Sequence, residues 1–376
     1  MNGSFMTENK IKVFYNTIKV FLLFLLLNQC ANQESYIIEK KDGVKIIHNK
    51  YPTLKKNPIS LKFVRQFGKI ETENKNLWLA EPLSIVVDSQ NNLYIFDNEL
   101  HSVKKFDVNG NYLKTFGKMG KGPGEFSYII NFEIDENDKI YIGNTYGRVQ
   151  IFDTEGNYCN EFKLKNPFSF FKVINSELLL VNKINNSNEY LLHVTDHRGN
   201  IIRSFCKMEP CHNQKEVKFL NKISFCKDGL NNFYISFNSQ NRIEKISPNG
   251  KMLFKADRTL NYNISFQQNG YKTLNTGTKA IKIPKFQYSY VTRDIGTDHK
   301  NRLWLITFKK QPDKNSTVDD IPKILKFEVY NQDGILLCEF PVPKISFDSI
   351  RIYGDRVFFI DPHKNACVYE YKIMEI

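Results

Sequence analysis

Histidine and glycine are the first residues of this chain to examine for chemistry. Seven histidines are spread over 376 residues, and none belongs to a His-Glu-x-x-His sequence or a comparable metal-binding pair. Gly120, Gly122 and Gly124 imitate a phosphate-binding loop, but no Gly-Lys-Ser/Thr follows them and no helical pattern begins at Phe126. The Gly-x-Ser-x-Gly sequence of a serine nucleophile is absent from the sequence. A catalytic site would therefore have to be assembled from residues far apart in the chain.

Two of the seven cysteines lie close enough in the chain to react with each other. Cys206 and Cys211 flank a short polar segment, where an oxidising compartment could join them in a disulfide bond. With His212 they form a Cys-x4-Cys-His string, a distant variant of the sequence that attaches c-type haem. A single such string supports haem poorly, so the sequence predicts no cofactor and leaves the disulfide open. The cysteines in apolar strand contexts are expected to be small buried side chains: Cys159, Cys226, Cys338 and Cys367.

The elements that would position such residues belong to a repeat that ends in the same kind of turn. Phe-Asp-Val-Asn-Gly-Asn-Tyr at 106–112 recurs as Phe-Asp-Thr-Glu-Gly-Asn-Tyr at 152–158, and looser copies contain Gly199, Gly250 and Gly334. The first four turn glycines lie 46, 43 and 51 residues apart, a period typical of propeller blades. Tight turns of this kind need a positive φ, which glycine and asparagine adopt at the least cost.

Each copy of the repeat has the pattern of four short strands, and six copies fit in the chain. The last copy supplies only three strands, but the strand at 61–67 runs into the same Phe-Gly-Lys that ends the first full blade. The sequence therefore predicts an all-β, six-bladed β-propeller of four-stranded antiparallel blades, closed by an N-terminal strand that completes the C-terminal blade. The expected blades span residues 82–117, 127–163, 167–206, 218–257, 287–342 and 345–376.

Two of these copies resemble the NHL repeat. Segments 97–107 and 144–153 contain an Asp or Asn, then a histidine or arginine near a valine, then Phe-Asp before the glycine turn. Residues 116–126 resemble the connector of bacterial six-bladed propeller lipoproteins. The resemblance covers residues 59–376, most clearly in the first two blades, and it implies a fold and a habit of binding without specifying any chemistry.

One face of such a propeller is the expected binding surface. The loops between the second and third strands of each blade should emerge there, together with the connectors between blades, around the mouth of the central channel. Arg148 and Arg242 occupy equivalent positions in two blades, where they would either engage an anionic or peptide partner or brace their own blade. The NHL resemblance, in which an arginine recurs at this position, supports bracing at least as well. The residues predicted to bind ligand are His101, Tyr146, Arg148, Arg242 and His363.

The same face could instead hold a metal site. The resemblance extends to gluconolactonase-like and amidating-lyase-like propellers, which build metal sites from such loops, and it makes His101 and His363 the pair to inspect. A calcium or zinc ion there would assist a lyase or hydrolase reaction. The preferred interpretation is nevertheless a binding module that uses no metal, with the metal-assisted enzyme as the alternative.

The N-terminus indicates export. Lysines precede an apolar run at 20–27 that is too short to span a bilayer but suits the core of a signal peptide. The run ends at Leu-Asn-Gln-Cys, which resembles a bacterial lipobox with Cys30 as the lipidated residue, although Gln29 departs from the small residue usual there. An ordinary secretory signal is the alternative. The expected domains are a lipoprotein-type signal peptide at 1–29, a polar tether at 30–58 and the propeller at 59–376.

Charge and location define the expected partners. The chain carries 53 Lys and Arg against 40 Asp and Glu, a formal net charge of +13. This excess could attract anionic glycans, lipid headgroups or nucleic acid, but lysines scattered over exposed turns explain it more simply. For a monomeric protein anchored in the bacterial cell envelope by an N-terminal lipid, we expect a protein, peptide or glycan ligand and no nucleic acid.

Overall fold

The structure is a computed structural model that describes residues 34–68, 73–164, 168–174, 177–182, 189–210, 219–275, 280–313 and 315–376. This described part of the chain is built mainly of β-strands, with 3-10 helices at Lys75–Leu77 and Ile321–Ile324. None of its helices is both long and apolar enough to cross a membrane.

The strands are numbered in chain order. The first blade and the strands before it comprise β1 (Tyr36–Lys41), β2 (Val44–Asn49), β3 (Ile59–Phe67), β4 (Pro82–Val87), β5 (Leu93–Asp97), β6 (Ser102–Phe106) and β7 (Tyr112–Phe116). The next two blades, with a short connector pair, comprise β8 (Lys118–Met119), β9 (Glu125–Phe126), β10 (Ile129–Ile134), β11 (Ile140–Asn144), β12 (Arg148–Phe152), β13 (Tyr158–Lys163), β14 (Phe168–Ile174), β15 (Glu177–Asn182), β16 (Tyr190–Thr195) and β17 (Ile201–Lys207). The remainder comprises β18 (Ile223–Lys227), β19 (Phe233–Phe237), β20 (Ile243–Ile246), β21 (Met252–Arg258), β22 (Phe266–Asn275), β23 (Ala280–Tyr288), β24 (Thr292–Thr297), β25 (Leu303–Phe308), β26 (Leu325–Tyr330), β27 (Leu336–Pro341), β28 (Ser349–Tyr353), β29 (Arg356–Asp361) and β30 (Cys367–Glu375).

These strands form a six-bladed propeller, as the repeat predicts. Blades 1 to 5 are the antiparallel sheets β4–β7, β10–β13, β14–β17, β18–β21 and β24–β27. Blade 6 takes β28, β29 and β30 from the C-terminus and its outermost strand, β3, from the N-terminus. The register of this closing pair runs from Ile59 opposite Glu375 to Phe67 opposite Val368, so the predicted closure is confirmed. The outer edge of β30 is thereby hydrogen-bonded to β3.

Apolar side chains fill the spaces between neighbouring blades. In the described part of the chain the buried residues form six clusters, and each cluster draws on two adjacent blades. At the closure, Phe67 of blade 6 meets Phe106 of blade 1 with ring centroids 5.0 Å apart. Each fully buried aromatic side chain of this kind contributes about 1.5–3 kcal/mol. The ring of blades is therefore held together by a ring of small cores.

One face of the propeller, here called the turn face, carries the turns between first and second strands and between third and fourth strands. At Asp88 the carboxylate Oδ1 accepts hydrogen bonds from the amides of Gln90 and Asn92, at 3.0 and 2.8 Å. A short polar side chain that satisfies the amides two and four residues later is a strong local turn former. The same pair of bonds recurs at Asp135, Asp153, Asp196, Asp228, Asp298 and Asn331.

The N-terminal segment before β3 packs on the propeller. Strands β1 and β2 form a hairpin, and β2 pairs in parallel with β21, so that blade 4 becomes a six-stranded sheet. Asn49 is buried and joins three segments: its Nδ2 donates to the carbonyls of Asp257 and Gly334, and its Oδ1 accepts from the amide of Leu336. This differs from the polar tether predicted over residues 30–58. The abundance of lysines conceals apolar residues such as Ile47, which is fully buried between blades 4 and 5.

Candidate binding cleft at the channel mouth

The central channel is a cavity of about 780 Å³ lined by the innermost strands of blades 2 to 6. Two charged pairs in its wall join neighbouring blades. Lys172 contacts Glu133 at 2.5 Å, and Arg351 lies 3.9 Å from Asp294, whose carboxylate also accepts the amide of Ile350. These contacts tie the inner strands together. These polar groups of the channel wall therefore serve the ring itself.

A second cavity, of about 360 Å³, opens beside the channel on the face opposite the turn face. We call this face the loop face, because it carries the second-to-third strand loops and the connectors between blades. The cleft is lined by a continuous series of aromatic rings. Phe219 lies 4.1 Å from Tyr288, Tyr288 lies 4.8 Å from Tyr290, and Tyr290 lies 5.4 Å from Phe308, measured between ring centroids. Rings in mutual contact present one extended apolar wall.

Local hydrogen bonds fix the position of Tyr290 in this wall. Its amide donates to Oε1 of Gln311 at 2.7 Å, and Nε2 of Gln311 donates to its carbonyl at 2.8 Å. The hydroxyl of Tyr290 donates to that of Tyr288 at 3.1 Å. Burial raises the pKa of Tyr288, so its hydroxyl stays protonated. The wall therefore has an apolar surface and a polar edge.

The cleft and the channel meet at a polar junction. Arg293 lies there, stacked over the ring of Phe347 with its guanidinium carbon 5.5 Å from the ring centroid, while Nη2 donates to the carbonyl of the same phenylalanine at 2.8 Å. The nearest carboxylate oxygen in the described part of the chain belongs to Asp348, 3.5 Å from Nη2. Burial lowers the pKa of Arg293, and the nearby carboxylates oppose that shift only in part. The side chains that line both cavities are Lys222, Asn238, Arg293 and Asp348.

An inserted hairpin borders the cleft. Strands β22 and β23 form a two-stranded sheet between blades 4 and 5, and β23 ends at Tyr288. At its base the amide of Ser289 donates to the carbonyl of Ser265 at 3.0 Å, and Oγ of Ser289 accepts the amide of Ser265 at 2.9 Å. Phe266, the first residue of β22, lies 6.2 Å from Phe219, centroid to centroid. The hairpin thus continues the aromatic wall outward.

The two predicted arginines brace their own blades. Arg148 donates from Nε to Glu161 at 2.9 Å and also donates to the carbonyls of Lys121 and Gly122, at 2.6 and 3.0 Å. Arg242 pairs with Glu209 and Glu244 and stacks over the ring of Phe237 at 4.3 Å. Of the two roles that the sequence left open, bracing is the one these contacts display.

The other predicted loop-face residues are dispersed. His101 lies in the loop between β5 and β6 with a φ of 46°. Tyr146 is exposed and meets the exposed Tyr128 edge-on, with ring centroids 5.6 Å apart. His363 lies 3.3 Å from Asp348, so it is the predicted residue that the structure links to the cleft. Within the described ranges no group of three or more His, Cys, Asp or Glu side chains could hold a metal ion.

The predicted cysteine sites lie partly outside the described residues. Cys30, the predicted lipidation site, and Cys211 are not among them. Cys206 is a free, buried thiol whose sulfur lies 3.7 Å from Oε2 of Glu244, and burial raises its pKa.

Sequence reasoning missed the cleft, although one signal pointed to it. The turn glycines of the early blades lie 43 to 51 residues apart, whereas 84 residues separate Gly250 from Gly334. The extra residues contain the hairpin and the Tyr-Ser-Tyr segment at 288–290. A break in the period therefore marks the insertion, but its packing against Phe219 depends on how the blades close.

Comparisons with known proteins agree with the fold. The family model of DUF5128, described as a 6-bladed beta-propeller, matches residues 39–276. The crystal structure of a DUF4221 family member from Bacteroides vulgatus is 12% identical, with a TM-score of 0.57 and coverage of 86% of this chain and 100% of that one. A Bacteroides fragilis protein predicted to be exported is 13% identical, with a TM-score of 0.58 and coverage of 88% and 99%. At such identities the likeness shows the fold alone. None of the curated proteins matches the sequence.

Proposed function

Because this chain belongs to the DUF5128 family of six-bladed β-propellers, we propose that its rigid ring presents the loop face to a ligand and that the protein is a binding module. The ligand would occupy the cleft between blades 4 and 5. The observation that carries the proposal is the aromatic wall from Phe219 to Phe308, which ends in a basic junction at the channel mouth. Concave sites with aromatic walls and a few converging polar groups are typical of ligand binding.

Exposure supports this choice of surface. Tyr290 is 38% exposed although it stands in a series of touching rings, so its outer surface is open to a ligand. Arg148 and Arg242 already have carboxylate or carbonyl partners, whereas in the described part of the chain Nζ of Lys222 has none. Unpartnered basic groups beside apolar rings offer both charge and surface area to a ligand.

The first experiment compares substitutions on the two faces. We expect Tyr290→Ala to weaken binding to a glycan and peptide array strongly while leaving the melting temperature within a few degrees of wild type. Tyr290→Phe should bind nearly as well, because it keeps the ring and removes only the hydroxyl. Gln90→Ala, in an exposed part of the turn face, is the matched control and should bind like wild type. If binding survives Tyr290→Ala but is lost in Gln90→Ala, the ligand binds to the turn face and the proposal is wrong.

We also propose that the protein is exported and anchored through Cys30, a residue outside the described ranges. The support is the lysine-led apolar run that ends in Leu-Asn-Gln-Cys. Metabolic labelling with a fatty-acid analogue should mark the wild type and fail to mark Cys30→Ser. Equal labelling of both proteins would refute the anchor and leave the binding proposal untouched.

A further inference from the structure

We infer that the cleft ligand is an acidic polysaccharide, whose sugar rings pack on the aromatic wall and whose carboxylate or sulfate groups meet the basic junction. This inference rests on the proposed binding function and adds the chemical class of the ligand. Three features of the described residues support it independently: unneutralised cations at the junction, a basic hairpin beside the cleft, and a wall with both apolar and hydroxyl surfaces.

The junction has more positive charge than its neighbours neutralise. Within the described ranges Arg293 uses Nη2 for the carbonyl of Phe347, and neither its Nη1 nor Nζ of Lys222 has a hydrogen-bond partner. One carboxylate, that of Asp348, is shared between Arg293 at 3.5 Å and His363 at 3.3 Å. A carboxylate or sulfate from a ligand would complete the pairing of the Arg293 and Lys222 cations.

The hairpin beside the cleft is rich in lysine. Between Phe266 and Tyr288 the sequence contains four lysines and no acidic residue. Three of them, Lys272, Lys282 and Lys285, lie in β22 or β23. A ten-residue strand is about 33 Å long, so the hairpin is long enough to accompany several units of a polymer. A polymer with repeated negative charges is therefore a better match to the hairpin sequence than a ligand with a single one.

The hairpin edges do not favour a peptide strand. Pro284 lies within β23 and cannot donate to an added strand, and the register of the hairpin shifts between Gln268 and Tyr271. Proline, bulges and lysines are the devices by which proteins prevent strand addition at exposed edges. A polysaccharide needs no strand edge, so these features favour it over an extended acidic peptide.

The wall itself fits sugar rings. The C–H faces of a sugar can pack on the exposed ring of Tyr290, while hydroxyl groups reach the polar edge formed by the Tyr288 and Tyr290 hydroxyls. Adjacent rings of the wall touch each other, with centroids 4.1 to 5.4 Å apart. No base could insert between rings at that spacing, which disfavours interleaved stacking of nucleic acid.

The test is a binding titration of the purified protein, residues 30–376, with four acidic polysaccharides: polygalacturonate, alginate, hyaluronate and heparin. Carboxyl-reduced polygalacturonate is the matched neutral control, because reduction keeps the linkages and removes the charge. Poly-L-glutamate and a single-stranded oligodeoxynucleotide test the two other anionic classes. We expect at least one acidic polysaccharide to bind at least tenfold more tightly than these three controls, with an affinity that falls as salt is raised.

Variants locate the contact. Lys222→Ala and Arg293→Gln should each weaken binding about tenfold, the loss of roughly one charge-assisted contact. Because Arg293 is partly buried and bonds to the Phe347 carbonyl, we expect its loss to lower stability. The exposed Lys222 and a triple variant of the hairpin lysines, Lys272, Lys282 and Lys285 to Gln, provide readouts at unchanged melting temperature. Equal binding to poly-L-glutamate or to the oligodeoxynucleotide would overturn the polysaccharide, as would full affinity in both Lys222→Ala and the triple variant.

Failure of this inference can be separated from failure of the binding function. If none of the four acidic polysaccharides binds but a neutral glycan or a peptide binds in a manner abolished by Tyr290→Ala, the cleft is a binding site and only the ligand class is wrong. If ligands bind without regard to Tyr290, both proposals fail.

Discussion

The turn face and the loop face of this propeller are built by opposite means. On the turn face the blades repeat one device, an Asp or Asn whose side chain satisfies the amides two and four residues later. Adjacent turns are also joined, as where the amide of Ser89 donates to Asp138 at 2.8 Å and that of Gly229 to Asn301 at 2.7 Å. On the loop face the blades differ, and blades 4 and 5 add a hairpin and a cleft.

The difference indicates that the turn face serves folding and the loop face serves ligand binding. The turn face satisfies its own polar groups locally, so it has little hydrogen-bonding capacity left for a ligand. The loop face keeps exposed rings and basic groups whose partners are incomplete in the described part of the chain. Variable loops on a rigid scaffold are where binding sites are usually found.

Opening the ring should destroy both faces and is the largest effect we expect. Deleting residues 59–68 removes β3, which pairs with β30 over its whole length and carries Phe67 into the closing core. The protein should lose its cooperative unfolding transition and aggregate through the exposed edge of blade 6. Deleting residues 34–43 is the matched control, because it removes β1 from the outer edge of the blade 4 sheet, keeps the buried Ile47 and leaves the ring closed. A cooperative transition in the first deletion would contradict the closure.

A single turn on the turn face should matter for stability and not for binding. Asp88 is buried and also accepts the hydroxyl of Tyr94 at 2.9 Å, so Asp88→Ala leaves several donors unsatisfied. We expect a loss of about 2–4 kcal/mol in the free energy of unfolding, measured by urea denaturation. Asp88→Asn, which keeps an acceptor oxygen, should lose less. An Asp88→Ala protein as stable as wild type would show that the repeated turns do not hold this face.

Arg148 tests whether every basic residue of the loop face belongs to the binding surface. Its bonds to Glu161 and to two connector carbonyls assign it to the blade, so Arg148→Ala should cost about 1–2 kcal/mol of stability and leave binding unchanged. A double-mutant cycle with Glu161→Gln measures the coupling between the two side chains. If Arg148→Ala loses binding but keeps the stability of wild type, Arg148 contacts the ligand.

Lowering the pH should destabilise the turns of the turn face, and this is the smallest effect that we expect. The side chain of Asn111 lowers the pKa of Asp107, and the amide of Asn200 lowers that of Asp196. Because the folded-state pKa lies below the unfolded value of about 3.9, this stabilisation is complete well above pH 4 and declines as the pH falls through both values. Urea midpoints measured from pH 7 to pH 2.5 should decline less steeply in Asp107→Asn than in wild type. Identical slopes would exclude this contribution.

The repeated blades could be predicted from the sequence, because short local segments determine their turns. Gly110 and Gly156 adopt φ values of 87° and 75°, which the turn requires and which glycine tolerates. The closure could be predicted because the last copy of the repeat supplies only three strands of a four-stranded blade. The cleft could not be predicted, because Phe219 and Tyr288 are distant in the chain and their rings meet only after blades 4 and 5 close. Composition likewise concealed the parallel pairing of β2 with β21.

Hydrogen–deuterium exchange of the wild-type protein, with and without the polysaccharide of the panel that binds most tightly, tests the separation of the two faces most directly. We expect slower exchange in the bound state for peptides covering residues 219–222 and 288–293. Exchange in the turns at 88–92 and 135–139 should be unchanged. Protection confined to those turns, or spread equally over both faces, would contradict this separation.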